Sequence, residues 1–126
     1  MGLKYLTDTN VAIDYLDDKL SPHSTHLIDT NDLNMTVITR MELLAWSKAT
    51  PEQDATIRDF ISASTVYPLD EPIILAAIEI RKRSKHKLPD AIIAATALVN
   101  DYTLITRNVN DFQNTRGLKV LNPWEM

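Results

Sequence analysis

The chain contains no cysteine and only two glycines, Gly2 and Gly117. Without cysteine there is no disulfide framework, no thiolate metal site and no cysteine nucleophile, and a reducing, cytoplasmic setting fits. With so few glycines there is no Gly-x-Gly-x-x-Gly turn and no phosphate-cradling loop, which removes the nucleotide-binding readings of an α/β chain. No apolar run approaches membrane-spanning length. The start, Met1 to Leu6, lacks the basic and long apolar segments of a signal peptide. These shortages predict a soluble protein with no membrane partner.

Positive charge is also in deficit. Thirteen Lys and Arg stand against seventeen Asp and Glu, a formal charge of −4. A nucleic acid held by bulk electrostatics is therefore excluded, and any such contact has to be local. The three histidines, His23, His26 and His86, lie in polar segments without the serine or carboxylate spacing of a nucleophilic triad. His23-Ser24-Thr25-His26 reads as a solvated loop or a helix start.

What is present is one domain's worth of core. The chain has 126 residues, 44% of them hydrophobic, and no repeat, linker or low-complexity stretch divides it, so a single domain over 1–126 is expected. Strand and helix patterns alternate. Strands are predicted at Leu3 to Leu6, Met35 to Ile38, Val66 to Leu69, Leu104 to Thr106 and Lys119 to Leu121. Helices are predicted from Asn10 to Leu16, from Thr39 to Lys48, from Pro51 behind an N-cap at Thr50 to about Ile61, and from Pro72 to Arg83. A further helix opened by Pro89, Asp90 to Asn100, is apolar on nearly every face and belongs in the middle of the fold. Alternation of this kind predicts an α/β protein whose central parallel sheet is flanked by helices in a three-layer sandwich.

Ligands of open parallel sheets sit beyond the carboxyl ends of the strands, and four separated acids fall in or near that layer. Asp8 follows the first strand, where it serves either as a functional carboxylate or as a turn or cap before the helix. Glu42 stands three residues after Thr39, a spacing that by itself favours a capping box. Asp90 opens the apolar helix, where the helix dipole suits a negative charge, yet an acid at that place is costly to desolvate unless something pairs it. Asp111 lies just past a strand with Asn108 one turn earlier, and alone it reads as part of a polar loop. Four carboxylates at one edge repel one another unless cations neutralise them, and hard oxygen donors select Mg²⁺ or Mn²⁺. Two such ions can bind a phosphodiester, activate a water and stabilise the leaving 3′ oxygen. That chemistry needs no protein nucleophile.

Tyr5-Leu6-Thr7-Asp8-Thr9-Asn10-Val11, Glu42-Leu43, Leu88-Pro89-Asp90-Ala91-Ile92-Ile93-Ala94-Ala95-Thr96-Ala97, and Leu104-Ile105-Thr106-Arg107-Asn108 through Phe112 together resemble PIN domains of VapC toxins. The likeness spans essentially the whole chain. It implies that Asp8, Glu42 and Asp90 coordinate Mg²⁺ or Mn²⁺ and that a fourth group, Asp111 or Asn108, completes the site. Asn10 and Thr106 look like supporting residues that position water or carboxylates. The resemblance further implies a homodimeric endoribonuclease toxin that cuts tRNA or ribosomal RNA and is silenced by a small VapB-like antitoxin. A solitary RNA-processing nuclease and a non-catalytic metal-binding regulatory module are the alternatives.

Two features outside the acids remain. Arg81, Lys82, Arg83, Lys85 and Lys87 form the one concentrated basic patch, either a phosphate contact or a solvated helix end favoured by the dipole. Trp46, with Met41, Leu43 and Leu44, offers a partner groove or dimer face, although helical spacing favours ordinary core packing.

Overall fold

The computed structural model describes residues 4–125. Five short strands alternate with helices: β1 (Tyr5–Thr7), α1 (Thr9–Leu16), α2 (Pro22–Thr30), β2 (Asn34–Thr36), α3 (Val37–Leu44), α4 (Pro51–Ser62) and β3 (Thr65–Tyr67). They continue as α5 (Glu71–Arg83), α6 (Leu88–Asn100), β4 (Thr103–Ile105), α7 (Val109–Phe112), β5 (Val120–Leu121) and a 3-10 turn at Pro123–Glu125.

All strand pairings are parallel. β4 lies between β1 and β5, with Leu6 opposite Leu104 and Leu104 opposite Val120. β2 and β3 form a second ladder, with Met35 opposite Val66. The Asn34 side chain bridges the two ladders, its Nδ2 donating to the Tyr5 carbonyl at 3.0 Å.

Strand side chains alternate between faces, and the core divides accordingly. Leu6 and Leu104 pack with α5 and α6 through Ile73, Ala77, Ile80 and Ile93. Tyr5 and Ile105 pack on the other side with Val11 of α1 and Ile28 of α2. A third cluster joins Ala12, Met35, Leu43, Ile57 and Phe60 around α3 and α4. The result is the expected three-layer α/β sandwich. Ala91 to Ala97 are all buried, so α6 takes the central place that its apolar sequence demands. Its small Ala91, Ala94, Ala95 and Ala97 are what let neighbouring elements approach that closely, while Ile92 and Ile93 each contribute about 2 kcal/mol of apolar burial.

Several predicted boundaries move. Of the strand predicted at Leu3 to Leu6, Leu3 lies outside the described residues and the ladder runs to Thr7. The second strand ends at Thr36, not Ile38, because the Thr36 hydroxyl accepts from the Thr39 amide at 3.1 Å and caps a helix that starts at Val37. Thr39 is therefore a buried residue of the first turn, not an N-cap, and the Thr39–Glu42 capping box does not form. That helix also stops at Leu44, short of Lys48. Trp46, Met41 and Leu44 are exposed, and only Leu43 of that group enters the core, which corrects the expectation of core packing. The His23–His26 segment lies within a full helix, α2, capped by Ser21 with Pro22 at its first turn. By contrast the Thr50 N-cap holds as a complete capping box with Gln53. Gly117, at φ +82°, turns the chain between α7 and β5, a backbone conformation that a side chain would strain.

Candidate active site

Asp8 is the last residue of the β1 edge before α1. Its amide donates to the Ile105 carbonyl at 3.0 Å, prolonging the parallel ladder, and its carbonyl accepts from Val11 and Ala12 as the helix N-cap. The carboxylate, which is buried, is held by three donors. Oδ1 accepts the Thr9 amide at 2.8 Å, while Oδ2 accepts the Thr106 hydroxyl at 2.7 Å and Asn10 Nδ2 at 3.3 Å. Capping and a functional role are thus compatible at this residue.

Thr106 sits at the end of β4, fully buried. Its hydroxyl donates to Asp8 and accepts from the Asn108 amide at 3.0 Å, so one side chain orients the carboxylate and fixes the first turn after the strand. Asn10 does the same from α1, because its Oδ1 accepts the Arg107 amide at 3.2 Å.

Glu42, released from the capping role, is oriented from the start of α1. Thr9 Oγ1 donates to Glu42 Oε1 at 2.7 Å and lies 2.9 Å from Thr39 Oγ1. A hydroxyl has one proton to give. With that proton spent on the carboxylate, the Thr39 hydroxyl is the donor to Thr9, forming a relay from the buried start of α3 to the exposed acid.

Burial, first, pushes the Asp8 carboxyl above the usual aspartate range, and the charges of Asp90 and Glu42 push the same way against the Thr106 and Thr9 hydrogen bonds. Asp90, in the first turn of α6, is also raised, by burial first and then by Asp111 and Glu42, with His86 and Lys87 opposing. These influences link Asp8, Glu42, Asp90 and Asp111 into one electrostatic cluster. Among the described residues no ion pair involves any of the four, although Asp14, Asp17, Asp54, Glu79 and Asp101 each have a basic partner.

Among the described residues no three acids or imidazoles form a ready-made ion cage, so fit is judged on donor chemistry. Hard carboxylate oxygens outside any ion pair suit Mg²⁺ or Mn²⁺. The donors present fit such an ion.

Of the two groups considered for the fourth position, Asp111 lies in α7 and its charge reaches Asp90. Asn108 precedes that helix, exposed, with no side-chain capping bond. The basic patch is less unified than its sequence. Arg81, Lys82, Arg83, Lys85 and Lys87 are all exposed. Arg81 and Lys82 line a cleft with Leu69, Ile78 and Leu88, whereas Lys87 is the member whose charge reaches Asp90.

Four residues escaped the sequence reading. Thr9 donates to Glu42 from directly beyond the end of β1, and its position next to Asp8 was the available signal. Thr39, expected as an N-cap, is instead the third residue of α3 and meets Thr9. His86, set aside as a polar residue, stacks on Phe112 with ring centroids 5.3 Å apart, and its Nε2 lies 2.8 Å from Thr115 Oγ1. Arg107, between Thr106 and Asn108, pairs with Asp14 at 3.1 Å.

A family model described as PIN domain matches residues 5–118. The plasmid stability protein StbB of Pseudomonas syringae pv. tomato is 30% identical over 137 residues, covering 95% of this chain and 98% of that protein. Among solved structures, a toxin-antitoxin complex from Klebsiella pneumoniae is similar with a TM-score of 0.79 at 30% identity, covering 98% of this chain and 100% of that one. VapBC-1 from nontypeable Haemophilus influenzae is similar with a TM-score of 0.83 at 25% identity, covering 98% and 100%.

Proposed function

The chain belongs to the PIN-domain family, and from that premise we propose that it is a metal-dependent endoribonuclease, the toxin half of a toxin-antitoxin pair. The observation that carries the reading is the cluster of Asp8, Glu42, Asp90 and Asp111, in which Asp90 and Glu42 act on Asp8 and both Glu42 and Asp111 act on Asp90, none of the four in an ion pair among the described residues. Carboxylates left in this condition at the carboxyl edge of a parallel sheet are suited to cations and, through them, to phosphodiesters.

Asp8, Glu42 and Asp90 would hold Mg²⁺ or Mn²⁺, with Asp111 as the fourth acid. Asp111 is preferred over Asn108 because it carries the charge that Asp90 senses. When bound, the ion supplies a water nucleophile at neutral pH and charge stabilisation for the leaving oxygen. The protein's part is orientation. Thr106, Asn10 and the Thr9 amide leave Asp8 little rotational freedom, and the Thr9–Thr39 relay does the same for Glu42. Lys87 and the neighbouring Arg81, Lys82, Arg83 and Lys85 give the local positive charge that an acidic protein needs to anchor RNA phosphates. Transfer RNA or ribosomal RNA is the substrate class proposed from the family resemblance.

The likeness to the Klebsiella and Haemophilus complexes supports a small VapB-like antitoxin as partner, and we infer that the toxin is a homodimer. A groove of about 590 Å³ lined by Ile13, Leu16, Leu43, Trp46 and Ile57 opens beside Glu42. Its exposed Trp46 and Ile13 suit an apolar segment of such a partner, and its acids Asp17, Glu42 and Glu52 suit a basic one.

The test is cleavage of RNA by the purified protein with Mg²⁺ or Mn²⁺, beside Asp8→Asn. Cleavage by the wild type and its loss in the variant are expected. Equal activity in both refutes the site. Sequencing of new 5′ ends after brief expression then identifies the RNA that is cut.

A further inference from the structure

Between Thr106, which holds Asp8, and Phe112, which is buried, the chain crosses five residues, 107–111, of which only Val109 is even half-buried. This segment carries both candidates for the fourth position. α7 is four residues long, too short to fix its own position by helical hydrogen bonding. Something else has to place it.

Arg107 is tied down at three points. Its amide donates to Asn10 Oδ1 at 3.2 Å, its Nη1 donates to Asp14 Oδ2 at 3.1 Å, and its guanidinium lies over the Trp124 ring, 5.3 Å from the centroid. The first two anchors are both on α1, the helix that Asp8 caps. The third is in the 3-10 turn at Pro123–Glu125, and Ser24 of α2 in turn donates to the Pro123 carbonyl. The ion pair is asymmetric: the Asp14 side chain is 9% exposed and that of Arg107 55%. A surface pair contributes little, but a buried carboxylate has lost most of its water and depends on its partner. The planar guanidinium alone among basic side chains meets a carboxylate while stacking on an indole.

We propose that Arg107 is a positioning residue, a strap that ties the β4–α7 segment to α1 and thereby sets where Asn108 and Asp111 stand relative to Asp8. The inference rests on the metal-site reading of Asp8, Glu42, Asp90 and Asp111, and deepens it by assigning the means by which the fourth group is placed. Asp14 belongs to the strap, as the buried anchor of Arg107, and does not itself meet the ion.

The test uses Mn²⁺ alone, titrated calorimetrically into the full chain, with thermal melting in chelator and RNA cleavage kinetics alongside. Arg107→Gln is expected to bind Mn²⁺ about tenfold more weakly, with kcat reduced and KM nearly unchanged. Asp14→Asn, which removes the ion pair and leaves the Trp124 contact, is expected to give a smaller loss in the same direction, and the double variant no more than Arg107→Gln alone, because the ion pair is already gone there. Arg107→Lys, which keeps the charge and gives up the stacked fork, is expected to restore part of the affinity. Should Arg107→Gln fail to fold, Arg107→Lys and Trp124→Ala carry the same measurement. Unchanged Mn²⁺ affinity in folded Arg107 variants, while Asp8→Asn loses it, overturns the strap and spares the site. A raised KM with Mn²⁺ affinity intact also overturns it, making Arg107 a substrate contact. Unchanged affinity in Asp8→Asn as well overturns the site reading and the strap with it.

Discussion

The Thr106 hydroxyl donates to Asp8 Oδ2 at 2.7 Å, joining the ends of two adjacent parallel strands across 98 positions of sequence. The Thr106 hydroxyl oxygen also accepts the Asn108 amide. Replacement by valine keeps the shape and removes both bonds, leaving a buried carboxylate short of a donor. Thr106→Val is therefore expected to lower cleavage by about tenfold to a hundredfold, at a stability cost of about 1–3 kcal/mol. Thr106→Ser should recover most of the rate. Kinetics with Mn²⁺ and urea unfolding of the three proteins make the comparison; a valine variant with full activity would remove Thr106 from the site.

Glu42 depends on Thr9 in a comparable way, but at an exposed position where freedom of rotation is the issue. Thr9→Val removes its donor and breaks the relay from Thr39. The expected outcome is a loss of kcat of about tenfold, smaller than that of Glu42→Gln, which removes the charge itself. In the double variant the Thr9 effect should largely vanish, since the neutral amide that Thr9 still orients is a far weaker ligand for a hard cation. A loss that persists in full beside Glu42→Gln shows Thr9 acting elsewhere.

Without a divalent ion, the acid cluster is a local burden on the fold. Asp90 is held above the usual aspartate range, by burial first and then by Asp111 and Glu42. A raised folded-state value favours the protonated carboxyl, so the ionised form weakens the fold as pH rises. Asp90→Asn is expected to melt a few degrees above the wild type in chelator at neutral pH. That gain should be absent in acid, where the carboxyl is protonated folded and unfolded alike. It should grow as pH climbs through the ordinary aspartate range and the raised range above it. Adding Mn²⁺ should reverse the order, because the ion stabilises the protein that binds it. A variant that melts lower in chelator at every pH would show that Asp90 contributes to the fold rather than burdening it.

How much of this was visible in the sequence follows from which forces set each feature. The three-layer α/β arrangement was legible because Ala91 to Ala97 are apolar but for Thr96 and Pro51, Pro72 and Pro89 punctuate three helix starts. The PIN-domain resemblance was carried by the segments that follow β1 and β4, by α6 from its first turn, and by Glu42-Leu43 of α3. The start of α3 was not legible, since Thr36 and Thr39 are equally good caps and only the strand pairing with β3 decides between them. Trp46 was misread because helical periodicity assumes a helix, and the helix ends two residues before it. The Arg107–Asp14 pair spans 93 positions, a distance at which no local pattern speaks.

The basic segment sets the last test, because its two functions separate experimentally. Arg81, Lys82 and Arg83 lie in the last turn of α5, where the helix dipole already favours positive charge. Lys82 and Arg83 stand 3.8 Å from Glu79, exposed contacts of little energetic value. Neutralising all three should therefore cost little stability. If these residues anchor RNA phosphates, the triple glutamine variant should show a raised KM and a shallower fall of affinity with salt, each lost contact reducing the slope by about one. Affinity for Mn²⁺ should not change, because the charge that reaches Asp90 comes from Lys87 and His86 and not from this turn. Binding of a catalytically inert Asp8→Asn background to RNA at several salt concentrations measures the effect without cleavage. An unchanged affinity and slope would return the turn to its role as a solvated helix end and leave Lys87 as the basic residue beside the acids.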